Sequence, residues 1–177
     1  EDFKLTATYT SGATKTATGV ATIRDDGTGT KYPDVAPNAG PAPATDTTNL
    51  DDDRVLSVNS IVVNEGSPKA VFTVTANVGE TLTLSLGNGT TNPTATSGTD
   101  YGTALEYWDP TSGVSGAWLA YSGSVTVPGT GTGSTSLLVR VAVNADTVFE
   151  GPEDFKLTAT YTSGATKTAT GVATIRD

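Results

Sequence analysis

The sequence contains no cysteine, no histidine and no methionine among its 177 residues. Without cysteine, the fold has no disulfide framework and no thiol nucleophile. Without histidine, the chain lacks the commonest general base. The absence of sulfur and imidazole side chains also removes the softer metal ligands. We therefore expect that the protein is not an enzyme.

Positive charge is also scarce. The chain has 10 Lys and Arg against 19 Asp and Glu, which gives a formal net charge of −9. Nucleic-acid binding needs a basic stripe that displaces counterions, so we expect no nucleic-acid partner. No apolar run approaches the roughly 18 residues of a membrane span, which argues against membrane insertion. The chain begins within a structural element and without a signal peptide, so we expect any targeting signal in a longer parent protein.

The strongest signal that is present is an internal repeat. Residues 1–25 read EDFKLTATYTSGATKTATGVATIRD, and residues 153–177 repeat them letter for letter. An identity of this length indicates duplication, so the chain contains the end of one repeat followed by one full repeat. We divide it into the C-terminal hairpin of a preceding repeat (1–25), a connector (26–53) and a sandwich domain (54–177).

The connector contains the run YPDVAPNAGPAPATDTTN, in which proline blocks helices and interior strands. Two interpretations stay open. The segment is either a disordered linker or an ordered strap along the domain surface, which Tyr32 and Val35 could anchor.

Alternating apolar residues, with turn signals about every ten positions, predict strands through the rest of the chain. Threonine and valine favour strands, and helical periodicity is absent. The predicted strands are 55–63, 70–78, 81–89, 104–110, 117–123, 124–129, 134–143, 154–162 and 169–177. This pattern predicts an all-β, antiparallel two-sheet immunoglobulin-like sandwich. Its expected core residues are Phe72, Val74, Leu84, Leu86, Leu138, Phe155, Leu157 and Ile175.

Four motifs stand in order in this region: VVNEG at 62–66, GTDY at 98–101, NADTVFEGPEDFKL at 144–157 and ATIRD at 173–177. This order is typical of Calx-β domains, and residues 54–177 resemble that family. The repeat also resembles those strung in tandem in very large bacterial adhesins. The resemblance implies a secreted, calcium-dependent protein at the bacterial cell surface.

In calcium-binding Calx-β domains these motifs form a cation cluster at one tip of the sandwich. The resemblance therefore implies Ca²⁺ as the cofactor, with ligands at Glu65, Asp100, Asp146, Glu150, Glu153 and Asp177. In the preceding repeat, Glu1, Asp25 and Asp26 hold the equivalent places. Strong calcium binders often carry a second aspartate where this sequence has Ala145, so we expect one or two ions rather than a full cluster.

Elementary electrostatics supports a cation at such a tip. Calcium takes roughly 6–8 oxygen ligands from carboxylates, carbonyls and water. Carboxylates that converge at one end of a sandwich repel one another unless a cation lies among them. The alternative is that these residues only disfavour pairing between exposed strand edges and keep the loops soluble.

Aromatic residues lie close together along one predicted hairpin. They are Tyr107, Trp108, Trp118 and Tyr121. They form either a sugar-binding platform or, as is commoner, part of the core or a stacked cross-strand pair. Glu150 and Glu153 could in principle form an acid–base pair, but nothing else in the sequence supports an active site.

Two functions from different classes remain. The repeat is either a structural spacer that extends a distal adhesive tip, or a module that binds a surface glycan or a protein through the aromatic hairpin. Verbatim duplication favours the spacer, because uniform mechanics tolerates identical copies. A glycan array or a pull-down with one repeat discriminates between the two.

The hairpin at 1–25 needs a partner, because a lone two-stranded hairpin is marginal in water. Its identity with 153–177 suggests that it completes a sandwich whose other strands come from another chain copy. This hypothesis is head-to-tail strand complementation. The competing interpretation is that neighbouring identical repeats of one continuous chain supply the partner.

Overall fold

The computed structural model describes residues 1–32, 50–90 and 94–177. The chain divides into two compact units, Glu1–Asp53 and Arg54–Asp177. The first contains one two-stranded sheet and the second contains two five-stranded sheets. The described residues contain no helix, and therefore none that could cross a membrane.

The first unit contains an antiparallel hairpin of β1 (Asp2–Tyr9) and β2 (Lys15–Thr22). Every residue of both strands is exposed. Tyr32, which the sequence suggests as an anchor of the connector, is also exposed. Val35 lies outside the described residues, so both interpretations of the connector stay open.

The second unit is a sandwich of two sheets. Sheet A contains, in order, β3 (Leu56–Val58), β5 (Lys69–Asn77), β10 (Ser134–Val143), β7 (Tyr101–Asp109) and β8 (Ala117–Ala120). Sheet B contains, in order, β4 (Ile61–Asn64), β12 (Thr168–Arg176), β11 (Glu153–Tyr161), β6 (Thr81–Asn88) and β9 (Val125–Thr126). The predicted all-β immunoglobulin-like sandwich is therefore confirmed.

Alternation along the central strands builds the core between the sheets. Of the predicted core residues, those that are buried are Phe72, Val74, Leu84, Phe155, Leu157 and Ile175, and Leu86 is partly buried against them. The prediction of Leu138 is wrong. The core face of β10 carries Leu137, and Leu138 on the other face is only partly buried.

The predicted strand 55–63 is wrong as a single element. The chain changes sheets at Asn59 and Ser60, so that β3 pairs with β5 while β4 pairs with β12. The Asn59 side-chain oxygen accepts the Thr73 N–H at 2.7 Å, and the Asn59 N–H donates to the Thr73 carbonyl at 3.1 Å. Because of this crossing, β4 runs parallel to β12, and the sheets are not wholly antiparallel.

Arg54, the first residue of the second unit, is a buried cation at the end of the sandwich where β11 turns into β12. Its guanidinium donates to the carbonyls of Ser163 at 2.7 Å and Ala165 at 2.9 Å. The same group lies 3.3 Å from the Glu80 carboxylate and 4.5 Å from the centroid of the Tyr161 ring. These contacts compensate for the burial of the charge and fix the start of the domain to this turn.

Gly171 packs against the sheet crossing, whereas its sequence equivalent Gly19 lies in the open. A Cβ at Gly171 would lie 2.1 Å from the Asn59 carbonyl oxygen, and a Cβ at Gly19 would meet nothing within 4 Å. We expect Gly171→Ala to lower the free energy of unfolding by about 1–3 kcal/mol. Gly19→Ala should change it by less than about 0.5 kcal/mol. Urea denaturation followed by far-UV circular dichroism, to which the strands of both units contribute, measures both variants. Equal effects would refute the packing of β12 on the crossing.

Candidate metal centre

Acidic residues from both sheets meet at one end of the sandwich. Sheet B brings together Glu65, Glu153 and Asp177, because β4 and β12 end side by side where β11 begins. Sheet A contributes Asp100, directly before β7. The loop that joins β10 to β11 carries the remaining two, Asp146 and Glu150.

The GTDY turn is held in place by the core beneath it. Gly98 has a φ of 88°, a conformation that side chains rarely adopt, and its N–H donates to the Tyr101 carbonyl at 2.7 Å. Tyr101 is buried and stacks on Phe155, with ring centroids 4.3 Å apart and planes 14° apart. Asp100 precedes Tyr101 and Glu153 lies two positions before Phe155, so this stack brings the two carboxylates side by side.

Hydrogen bonds then orient Asp100, which is only 9% exposed. Its carboxylate accepts the Thr96 N–H at 2.6 Å, and its carbonyl accepts the Asn144 N–H at 2.9 Å. The Asn144 side chain also donates to the Thr99 carbonyl at 2.9 Å. Asn144 thus ties the GTDY turn to the start of the acidic loop, a role that its place in the motif alone did not reveal.

The carboxylates converge on a cavity about the size of one ion. One oxygen from each of Asp100, Glu150 and Glu153 lies within 4.8 Å of the other two. The cavity has a volume of about 10 Å³ and is lined by Glu65, Asp100, Glu150, Gly151, Glu153, Ile175 and Asp177. That volume is about the smallest that holds a water molecule, so the cavity is far too small for an organic ligand.

Asp146 lies outside this lining. Its carboxylate accepts the Val148 N–H at 2.6 Å, and its own N–H donates to the Glu65 carboxylate at 3.0 Å. On the other side of the cavity, the Asp177 carboxylate accepts the Glu150 N–H at 3.2 Å. The structure therefore brings five of the six ligands suggested by the sequence to one cavity, with Asp146 orienting Glu65 from outside.

The electrostatics of the cluster favour a proton or a cation. Burial and the neighbouring Asp100 carboxylate raise the pKa of Glu153 to about 7. Burial, followed by the charges of Asp100 and Asp146, also raises the pKa of Glu150. In the part of the chain that the structure describes, no Lys or Arg forms an ion pair with any of the six carboxylates. Within the described residues, no paired cation therefore offsets their repulsion.

The ligands suggested for the preceding repeat, Glu1, Asp25 and Asp26, lie in the first unit. Among its described residues no group of three acidic ligands comes together. Asp26 instead lies 3.7 Å from the Arg24 guanidinium and accepts the Thr28 N–H at 3.0 Å. The cavity residues Glu153 and Asp177 correspond to Glu1 and Asp25. Those before residue 153, such as Asp100, belong to a part of the repeat that residues 1–53 do not contain.

The aromatic cluster is divided between the two faces of sheet A. Trp108 and Trp118 form an edge-to-face cross-strand pair with ring centroids 5.5 Å apart. Tyr107 and Tyr121 instead pack against the core, and the Tyr121 hydroxyl accepts the Leu84 N–H at 2.8 Å. Neighbouring residues of a strand point to opposite faces, so the four rings do not form one platform.

An ion cluster beside the tryptophan pair was not indicated by the sequence. Glu106 accepts hydrogen bonds at 2.9 Å from both Arg140 and Lys69, and these bonds lower the pKa of Glu106 to about 2. The Arg140 guanidinium lies 4.1 Å from the centroid of the Trp118 ring and covers one of its faces. The cluster ties three neighbouring strands together, and only the strand order could have revealed it.

No family model and no curated protein matches this sequence. Similar solved structures include the apo form of the Calx CBD1 domain, at 14% identity, covering 69% of this chain and 98% of that domain, with a TM-score of 0.38. The periplasmic chaperone SfaE is 10% identical over 69% of this chain and 57% of its own, with a TM-score of 0.39. The collagen-binding subdomain ACE19 of the Enterococcus faecalis surface protein ACE is 6% identical over 69% of this chain and 96% of its own, with a TM-score of 0.32. The scores are low, and the fold assignment depends on the sheets and core described above.

The raised pKa of Glu153 predicts how stability depends on pH when calcium is removed. Its folded-state pKa of about 7 lies above the ordinary value of 4.5. At pH values between 4.5 and 7, the folded state therefore binds more protons than the unfolded state. Stability should therefore fall as the pH rises from about 4.5 through about 7. The carboxylates that act on Glu153 are those of Asp100, Glu150 and Glu65.

We expect Glu153→Gln to flatten this slope, because the amide does not titrate. The measurement is urea denaturation in chelator between about pH 4.5 and 7. The chain contains no histidine, so no imidazole group titrates in this pH range. A wild-type stability that stays constant or rises over the range would show that the carboxylates do not converge in solution.

Proposed function

We propose that residues 54–177 form a calcium-binding repeat that serves as a structural spacer in a secreted bacterial surface adhesin. The observation that carries the proposal is the convergence of five carboxylates on a cavity of one ion's size. No Lys or Arg within the described ranges is paired with them. The resemblance of the motif order to Calx-β domains supports the same site.

The donor set fits calcium. The chain has no cysteine or histidine, which are the common ligands of zinc and of the softer transition metals. Calcium accepts roughly 6–8 oxygen ligands in a flexible geometry, whereas magnesium requires a near-ideal octahedron. Asp100, Glu150 and Glu153 would hold the ion, with Glu65 and Asp177 as further oxygen donors. These residues come from loops and strand ends of both sheets, which suits a flexible geometry.

A cation at this tip would supply positive charge where no Lys or Arg of the described residues is paired with the carboxylates. The ends of β4 and β12 and the start of β11 would then be held against the GTDY turn. Asp177 follows directly on β12, so the stiffened tip includes the point where the last strand ends. Extracellular calcium modules bind with dissociation constants of roughly 10⁻⁴–10⁻³ M, which suits a protein that stiffens outside a calcium-poor cell.

The duplicated sequence supports the spacer rather than a recognition role. A mechanical element needs no difference between successive copies, and residues 1–25 and 153–177 do not differ at any position. The aromatic residues give less support to glycan binding. Two of the four rings pack against the core, and Arg140 covers one face of Trp118.

Calcium should raise the melting temperature of the wild-type chain, and Asp100→Asn should abolish most of that rise. At a hundredfold excess over the dissociation constant, the gain is about 2.7 kcal/mol, which is roughly 10 °C for a domain of this size. The asparagine side-chain oxygen can still accept the Thr96 N–H, so the variant should keep its fold in chelator. Thermal unfolding followed by circular dichroism, with calcium and with chelator, measures the difference.

Asp109→Asn is the matched control. The Asp109 carboxylate accepts the Thr111 N–H at 2.8 Å in a turn beside the tryptophan pair, and it does not line the cavity. This variant should respond to calcium as the wild type does. If calcium changes the melting temperature of neither the wild type nor the control, the carboxylates are only a solvated acidic rim.

A further inference from the structure

An early strand of the second unit and its last strand lie side by side and run in the same direction. β4 follows the sheet crossing near the start of the unit, and β12 is its final strand. The two pair in parallel, from Ile61 opposite Ala173 to Asn64 opposite Arg176. Parallel neighbours begin at the same end of a sheet and finish at the other. The chain therefore enters this pair at one end of the sandwich and leaves it at the opposite, acidic end.

The internal repeat indicates that β12 is also the last strand of the repeat. Its equivalent in the first copy is β2, because residues 1–25 and 153–177 are identical. Among the described residues, no strand lies between β2 and β3. In a row of covalently joined repeats, tension would therefore reach each sandwich at Arg54 and leave it after β12.

Hydrogen bonds extend the contact between β4 and β12 beyond the paired residues at both ends. At the start, the Ser60 hydroxyl accepts the Val172 N–H at 3.2 Å. At the acidic end, the Glu65 N–H donates to the Arg176 carbonyl at 2.8 Å. The chain is thus bonded to β12 from the sheet crossing to the first residue after β4.

Tension between the two ends of the unit acts along these strands. It pulls the start of β4 towards one end of the sandwich and the end of β12 towards the other. The hydrogen bonds between the strands run across that direction, so they resist sliding together. Ile61 and Val63 are partly buried against the core, and sliding would also draw these side chains out of it. A pull that separates the strands from one end would instead break the bonds one after another.

We propose that the β4–β12 pair is a mechanical clamp, meaning the contact that sets the force at which the sandwich unfolds under tension. This function deepens the proposed spacer role and rests on it, because a spacer transmits tension to whatever it holds. Resistance to force depends on the rate of unfolding rather than on equilibrium stability. A few contacts in the path of the force can therefore determine it, even though the core supplies most of the stability.

The candidate calcium site lies at the end of the clamp where tension pulls on β12. Glu65 follows β4 directly, Asp177 follows β12 directly, and both residues line the cavity. An ion held by both carboxylates would join the two strands beyond their last hydrogen bond. If the calcium site is correct, on which this one consequence rests, calcium should raise the unfolding force.

The test pulls single full-length chains in two geometries with optical tweezers. The chain contains no cysteine, so two introduced cysteines give unique attachment points. The end-to-end geometry uses Asp53→Cys with a cysteine added after Asp177. The same-end geometry uses Pro68→Cys, between β4 and β5, with the same added cysteine, so that both points lie at the acidic end. Asp53 and Pro68 are both exposed, so neither substitution disturbs the core.

In chelator, we expect the end-to-end geometry to require about twice the unfolding force of the same-end geometry, or more, at an equal loading rate. Both geometries stretch the same folded domain, so its equilibrium stability cannot produce a difference of this kind. Equal forces, or a larger force in the same-end geometry, overturn the proposal.

Two proline variants, pulled end to end, test whether the bonds of β4 carry the force. Backbone donors alternate in direction along a strand, so the Val63 N–H faces β12, as that of Glu65 does, and the Val62 N–H faces away. Proline removes the donor in either place. We expect Val63→Pro to lose about half of the wild-type unfolding force and Val62→Pro, the matched control, to keep most of it. Equal losses contradict the clamp. If Val63→Pro does not fold, the comparison of the two geometries decides.

Calcium distinguishes a failure of the clamp from a failure of the calcium site. It should raise the end-to-end unfolding force of the wild-type sequence and leave that of Asp100→Asn unchanged. A higher end-to-end force that calcium does not alter supports the clamp and contradicts the site. A force that calcium raises, but that is equal in both geometries, supports the site and overturns the clamp.

Discussion

The contact on which the site depends is the stack of Tyr101 on Phe155, with Phe72 packed edge-on against the same ring at a centroid distance of 5.9 Å. All three side chains are buried, and they come from both sheets. Because aromatic burial is a large, non-directional stabilisation and ring stacking adds a specific geometry, this cluster determines how the sheets meet. The positions of Asp100 and Glu153 follow from it, since each lies within two residues of a stacked ring.

The hydrophobic core therefore holds carboxylates together against their own repulsion. The raised pKa of Glu153 is the electrostatic consequence of that convergence. The core holds the strands, and the carboxylates lie at one tip. We therefore expect calcium to stabilise that tip without being needed for the strands to form. At the far end of β11, Arg54 holds the start of the domain through hydrogen bonds that need no ion. The pH dependence that follows from the raised pKa of Glu153 thus arises at the acidic end.

The sequence predicts the strands well where one face is buried, as in β5, β10 and β11, because alternation then has a clear period. It fails where two choices fit equally. Leu137 and Leu138 are adjacent, so either satisfies the two-residue period of a strand. The apolar pattern also continues through the sheet crossing at Asn59, so it does not show that β3 and β4 are separate strands. The candidate ligand residues could be named because their motifs are local. The roles of Asn144 and Arg54 could not, since they depend on partners far away in the sequence.

We expect the converging carboxylates to hold calcium in place of a proton. The most direct test is isothermal titration of calcium into the wild-type chain near pH 7, in two buffers with different ionisation enthalpies. Glu153 has a pKa of about 7, so binding should release about half a proton per ion as the carboxylate is freed. Binding in the millimolar range or tighter with that proton release is the predicted result. An absence of binding, or binding without proton release, would contradict the account.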